Sequence, residues 1–462
     1  MKRPSVLVPR RLSAIDAGLL DLERPHAPLN LGALAIFDGR VCPAQLARRI
    51  ESRLWRLGNL GRVIAPVPFA LARPAFEDPP RFDPRDHIHP WALPCPGGEA
   101  ELLDACARVL AAPLDRGRPL FELHLFEGLD GERSAVVLKL HCAVARSCAG
   151  GALLQALLDP VADGPPDLAT SRSVKSAPGK LSRLGWAFSD NALRGLRDVS
   201  RALSIATDPG AAREQLRALG ATAGTLLELA SDAAPGLPWN AELGWRRRLA
   251  LTRLPLADAQ RIAAQHHCGV NDVVLSAIAG GLHGYLRSGG TPLLRTDAHV
   301  LVPTCMRDRD APRGGPAFSA VVVPIPLDLA DEVLRLGAVV RAVRGCEARG
   351  ANSLSTALFE LADRLPPVVT RALARGLRLE RFANVIAADV DGPHEERWLC
   401  GRRLLAVHPF IPIIDGIGLS FATYAYAGGL FVGINADADL VPDLDKLRLE
   451  LEQSFAALSR AS

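Results

Sequence analysis

Short apolar runs alternate with longer segments in which apolar residues return every third or fourth position, a pattern that predicts a mixed α/β chain. Leu29 to Phe37 reads as a strand stopped by Asp38-Gly39, and Pro119 to Glu127 and Ser134 to His141 as two strands around a Gly128-Leu129-Asp130-Gly131 turn. Helical spacing runs from Pro43 to Leu57, with Leu46, Ile50 and Leu54 on one face, and from Glu99 to Ala112, with Leu103, Cys106 and Leu110 in line. Ser13-Ala14-Ile15-Asp16 has the form of a capping box and opens a short helix through Leu22.

The pattern breaks at Pro160. Residues 163–180 are rich in Pro, Ser, Gly and Asp and read as a linker. Two amphipathic helices follow. The first carries Leu181, Leu184, Phe188, Ala192, Leu196, Val199 and Leu203 at helical spacing, with Arg183, Arg194, Arg197 and Arg201 elsewhere around it; the second runs from Ala211 to Ala230. They read either as helices packed on the body or as a basic membrane-surface element. Trp245 to Pro255 is a strand, Asp258 to His267 a helix, and Asn271 is placed to N-cap a helix from Asp272 to Arg287. Strands at Val300–Pro303 and Ser319–Pro324 precede helices at 331–347 and 355–376. The end is strand-rich (383–390, 404–407 and 419–435, folded back at Gly428-Gly429) and closes on a helix from Leu444 to Leu458. Strands often meet as hairpins and not in regular βαβ order. The expectation is two mixed-sheet α/β domains, 1–162 and 245–462, joined by a helical linker region at 163–244.

Composition narrows the function classes. The chain has 462 residues, ample for a sizeable core, and its 48% hydrophobic and 23% charged residues are those of a folded globular protein. A net charge of +4 is too mild to argue for nucleic acid. Nine cysteines are scattered without a CxxC pair, so neither a zinc site nor a disulfide framework is expected, and reduced cytoplasmic thiols are. The segment Met1 to Pro9 has no sustained apolar core and does not read as a signal peptide. No apolar run reaches about 18 residues, so any membrane contact is expected to be peripheral.

Most motif searches return nothing. There is no Gly-x-Ser-x-Gly elbow and no P-loop. Gly280-Gly281-Leu282-His283-Gly284 lies inside a helix rather than after a strand, so it is not a dinucleotide loop, and His266-His267 near Cys268 lack further ligands at metal spacing. The chemistry concentrates at His141, at the end of an apolar strand, followed by Cys142-Ala143-Val144-Ala145-Arg146-Ser147 and then small residues. Neighbouring residues on a strand point to opposite faces, so His141 is badly placed to activate Cys142 as a nucleophile, and a buried structural thiol is the reading from the residues.

Taken in order, the motifs resemble those of the bacterial wax ester synthase/acyl-CoA:diacylglycerol acyltransferase family. Leu12 to Ala17, followed by Leu31 to Phe37, is similar to its opening. Pro119-Leu120-Phe121 resembles its Pro-Leu-Trp motif with Phe for Trp, Asn271-Asp272 its Asn-Asp motif, and Asp391-Gly392-Pro393 and the tail from Gly428 to Leu447 its C-terminal domain. The resemblance implies two chloramphenicol-acetyltransferase-like domains forming a pseudo-dimer. It implies an O-acyltransferase that uses acyl-CoA as substrate, with diacylglycerol or a long-chain alcohol as acceptor and neither cofactor nor metal. It also implies a cytoplasmic protein at the inner membrane or on lipid inclusions; homo- or hetero-association stays open.

The family's His-His-x-x-x-Asp-Gly motif falls on the stretch from His141. Its second His is the general base, and its first His and Asp hold the loop. Here His141 takes the structural position, Cys142 the base position, Arg146 the Asp position and Ser147 the Gly position. The family's Asn-Val-Pro-Gly-Pro has become Asp389-Val390-Asp391-Gly392-Pro393. A second reading follows from these departures: a catalytically inactive member that binds acyl-CoA or lipid, or partners an active homologue.

Overall fold

The computed structural model describes residues 11–53, 59–68, 71–145, 151–162, 164, 233–293, 296–305, 318–348, 367–390 and 392–462. Arg146, Ser147, Cys148, Asp391, the amphipathic segments at 181–203 and 211–230, and residues 355–366 lie outside them.

The first half opens with α1 (Ala14–Leu22), where Ser13 Oγ accepts the Asp16 amide at 3.1 Å and donates to Asp16 Oδ2 at 2.7 Å. Then come β1 (Asn30–Phe37), α2 (Pro43–Arg53), the short pair β2 (Val63–Ala65) and β3 (Ala75–Glu77), β4 (Ile88–Ala92) and α3 (Glu99–Ala111). The hairpin β5 (Phe121–Leu129) and β6 (Arg133–His141) leads into α4 (Cys142–Ala145) and α5 (Gly151–Leu157). Its turn is tight because Gly128 and Gly131 take φ +85° and +69°, open to glycine at little cost.

The second half runs β7 (Arg247–Pro255), α6 (Leu256–Gln265), α7 (Val270–Ser288), β8 (Asp297–Cys305), β9 (Phe318–Pro326), α8 (Glu332–Ala348) and α9 (Pro367–Gly376). It continues with β10 (Val385–Asp389), β11 (Trp398–Leu399), β12 (Arg402–Phe410), β13 (Leu419–Tyr426), β14 (Gly429–Asp437) and α10 (Leu444–Ala461). Asn271 does not cap α7. The helix begins two residues earlier, at Val270, with Gly269 as N-cap, and Asp272 Oδ2 accepts the Gly269 amide at 2.9 Å. The carboxylate at the third helical position reaches back to the orphan amide, so the capping role belongs to Asp272. Gly280 and Gly281 let α10 approach α7: a Cβ on Gly281 would lie 2.9 Å from Leu451 Cβ.

Two six-stranded mixed sheets result, ordered β11-β12-β1-β6-β5-β4 and β7-β14-β13-β10-β8-β9. β11 and β12 come from the second half yet complete the first sheet, with Gly32 opposite Phe410 and Leu34 opposite His408. One core cluster joins Leu34, Cys106, Val137 and Phe410 of the first sheet's surroundings to Leu249 and Leu251 of β7. The sheets approach backbone to backbone where a Cβ on Gly433 would fall 1.9 Å from the Pro409 carbonyl oxygen, closer than any side chain allows. The corner between β6 and α4 thus sits in a first sheet that the distant C-terminal strands close.

Candidate functional site

The corner is fixed through its backbone. His141 N–H donates to the Leu120 carbonyl at 3.1 Å, and Cys142 N–H to the Leu29 carbonyl at 2.9 Å. The Pro119-Leu120-Phe121 segment is therefore brought against His141. Phe121 is buried at the head of β5 and stacks on His87 with ring centroids 4.3 Å apart. Asn271 and Asp272, by contrast, stand at the start of α7 in the second core, where Asp272 has the capping role just described.

The His141 side chain is 1% exposed. The Ala143 amide donates to its Nδ1 at 3.0 Å, so the ring proton sits on Nε2, which faces Glu23 Oε1 at 3.4 Å. Nδ1 accepts a hydrogen bond and Nε2 carries the proton, so neither offers a free lone pair to a substrate hydroxyl. Burial opposes ionisation of Glu23, but the contacts with His141 and Arg116 outweigh it and hold the carboxyl at about 2. Cys142 is half-buried. Burial first, and then the Glu23 charge, push its thiol up to about 12. It is protonated at neutral pH, which removes the thiolate that nucleophilic attack or general-base action requires.

A second polar network lies on the same face of the sheet. Lys139, opposite Glu122, is 1% exposed and donates to Glu122 Oε2 at 3.1 Å. His124 Nε2 reaches the same oxygen at 3.0 Å, and Trp91 Nε1 donates to His124 Nδ1 at 2.9 Å. His89, Glu122 and His124 bring ligand atoms within 4.8 Å of one another, the spacing of a metal site. The donor pattern does not fit a metal. Trp91 fixes the His124 proton on Nε2, pointing at Glu122, and a cation would have to displace a Lys139 ammonium that has no solvent to retreat to. Alternating strand residues signalled this network only as polar intrusions in apolar runs; its partners meet through cross-strand pairing.

Burial raises the Glu122 carboxyl, but the His124 N–H and the Lys139 ammonium outweigh it and bring the group from 4.5 to about 2. The resulting stability is fully present above about pH 4.5 and is lost as pH falls towards about 2. The urea midpoint is expected to drop across that window. Glu122→Gln should be less stable at neutral pH but flatter over the acid range, measured as midpoint against pH.

Comparison with known proteins places this geometry. Residues 12–274 match the family model described as the wax ester synthase/diacylglycerol acyltransferase catalytic domain, and residues 314–459 match the WS/DGAT C-terminal domain. A Mycobacterium tuberculosis protein named a probable diacylglycerol O-acyltransferase is 31% identical over 97% of this chain and 95% of its own length. A solved wax ester synthase/diacylglycerol acyltransferase from Marinobacter aquaeolei VT8 superposes with a TM-score of 0.66 at 22% identity, covering 97% of this chain and 98% of that one. The starter condensation domain of rhizomide synthetase shares the fold at a TM-score of 0.54 and 13% identity, over 98% and 94% of the two chains.

Proposed function

The chain belongs to the wax ester synthase/diacylglycerol acyltransferase family, and from that premise we propose that it transfers an acyl group from acyl-CoA to the hydroxyl of a diacylglycerol or a long-chain alcohol. The observation that carries the reading is the match of both halves, in order, to the family's catalytic and C-terminal models.

In this reaction the acceptor oxygen attacks the thioester carbonyl carbon. The C–O bond forms, the C–S bond breaks, and the hydroxyl proton ends on the CoA sulfur. Position 142 is where the family places its imidazole base, and here it holds a neutral thiol. On this proposal the fold still supplies proximity, which accounts for a large part of such a barrier. The missing base lowers the rate by about 10²–10⁴-fold. His141 serves as the structural His, with Arg146 and Ser147 in the loop that follows.

The protonated Cys142 also favours a second reading, an inactive member that binds acyl-CoA or lipid or partners an active homologue. Purified protein given radiolabelled palmitoyl-CoA with diolein or hexadecanol separates the two. Labelled ester above the no-enzyme control supports the transferase; ester equal to the control, with acyl-CoA still bound, supports the second reading. Among the described residues no helix is long and apolar enough to cross a membrane, so contact with the inner membrane or a lipid inclusion, where such acceptors reside, is peripheral in this proposal.

A further inference from the structure

Glu23 follows α1 directly and is held on several sides. Its Oε1 accepts the Leu29 amide at 3.2 Å, closing the loop from α1 to β1, and its Oε2 accepts Arg116 Nη2 at 2.6 Å. Arg116 Nη2 also donates to the Leu20 carbonyl at 2.7 Å, which ties the guanidinium to the body of α1. The remaining contact of Glu23 Oε1 is His141 Nε2, 3.4 Å away, with the two side chains 9% and 1% exposed. On its other side the His141 ring receives the Ala143 amide at Nδ1. A continuous line therefore runs from Arg116 through Glu23 and the imidazole to the first turn of α4, the turn that carries residue 142.

We infer that Glu23 is a positioning residue: by standing against His141 Nε2 it sets the ring on which the Ala143 amide rests, and so fixes where the side chain of residue 142 points relative to the reacting groups. The inference deepens the transferase reading and rests on it for the role of position 142. Among the described residues the charged groups around the corner are Glu23 and Arg116, with Lys139, two residues upstream on β6, paired to Glu122. Of these, Glu23 is the group that opposes a negative charge on Cys142. A purely structural Glu23 would affect folding and nothing else; a positioning Glu23 affects the chemistry of residue 142 in folded protein.

Two measurements on the full chain test this. The first needs no turnover. Alkylation of Cys142 by iodoacetamide, read by peptide mass spectrometry at pH 8, is expected to be several-fold faster in Glu23→Gln, because the carboxylate that opposes a negative charge on the thiol is gone. An unchanged rate in protein with an unchanged thermal midpoint overturns the inference. The second uses Cys142→His protein, palmitoyl-CoA and diolein. Adding Glu23→Gln should lower kcat by about tenfold, leave KM for palmitoyl-CoA unchanged, and shift the acid limb of the pH profile downward, because the lost carboxylate no longer favours the imidazolium. Glu23→Asp keeps the charge but shortens the reach; it should lower kcat and leave the limb in place. It also substitutes for Glu23→Gln should that variant fail to fold, and full kcat in folded Glu23→Asp overturns the inference. A silent Cys142→His protein would count against the transferase reading, while the alkylation rate would still decide the role of Glu23.

Discussion

Cys142→His is expected to raise kcat for palmitoyl transfer to diolein by about 10²–10⁴-fold, the usual worth of a positioned general base. The corner is built to hold that residue. Cys142 N–H is tied to the Leu29 carbonyl, the preceding His141 is locked by Glu23 and the Ala143 amide, and these contacts do not involve the residue-142 side chain. Exchanging a thiol pushed up to about 12 for an imidazole supplies a lone pair that is free at neutral pH. The gain should come in kcat, with KM for acyl-CoA little changed, and with a new acid limb in the pH profile as the imidazole titrates. Adding Arg146→Asp restores the acidic residue of the family's motif and should increase the gain. Folded Cys142→His protein that binds acyl-CoA but shows no increase would falsify the view that this residue is what limits the reaction.

The largest stability effect is expected from Asp159→Ala, about 3–5 kcal/mol, the cost of breaking a buried ion pair by removing one partner. Arg49 and Arg53, one turn apart on α2, both reach this carboxylate, Arg53 Nη2 at 2.7 Å. The side chains are 7%, 10% and 2% exposed for Arg49, Arg53 and Asp159, so deletion removes a buried carboxylate that both guanidinium groups contact. The arginines also donate to the Leu157 and Ala156 carbonyls at 3.2 and 3.1 Å, and the Asp159 backbone pairs with Trp398 in β11. One carboxylate therefore ties α2, the end of α5 and the strand through which the second half enters the first sheet. Urea unfolding measures the loss. In an Arg49→Met/Arg53→Met background the same substitution should cost much less, because the guanidinium–carboxylate contacts it removes are already gone.

Much of this molecule is legible in one dimension. The apolar run from Ala135 to Leu140 is strand β6 because it pairs on both sides, and the glycines at 128 and 131 do turn the hairpin that leads to it. The Gly428-Gly429 turn likewise joins β13 to β14. Local readings weakened where two conformations differ by a residue or two, as at Gly269, where Asn271 and Asp272 both have side chains suited to a cap and only the carboxylate spacing decides.

The amino-acid sequence by itself determined the mixed α/β class, the helices and strands around the corner, and the identity of the residue at position 142. These depend on periodicity and residue type, which are local. Only the tertiary structure decided that β11 and β12 cross to the first sheet, that Glu23 contacts both His141 and Arg116, and that Glu122 meets Lys139 and His124 while Trp91 donates to His124. Most of those contacts join residues far apart in the chain, and strand pairing leaves no period in the sequence to announce a partner. The protonation of Cys142 belongs to the same group: it follows from burial and a carboxylate 119 positions away in the chain, and cysteine as a residue type does not dictate it.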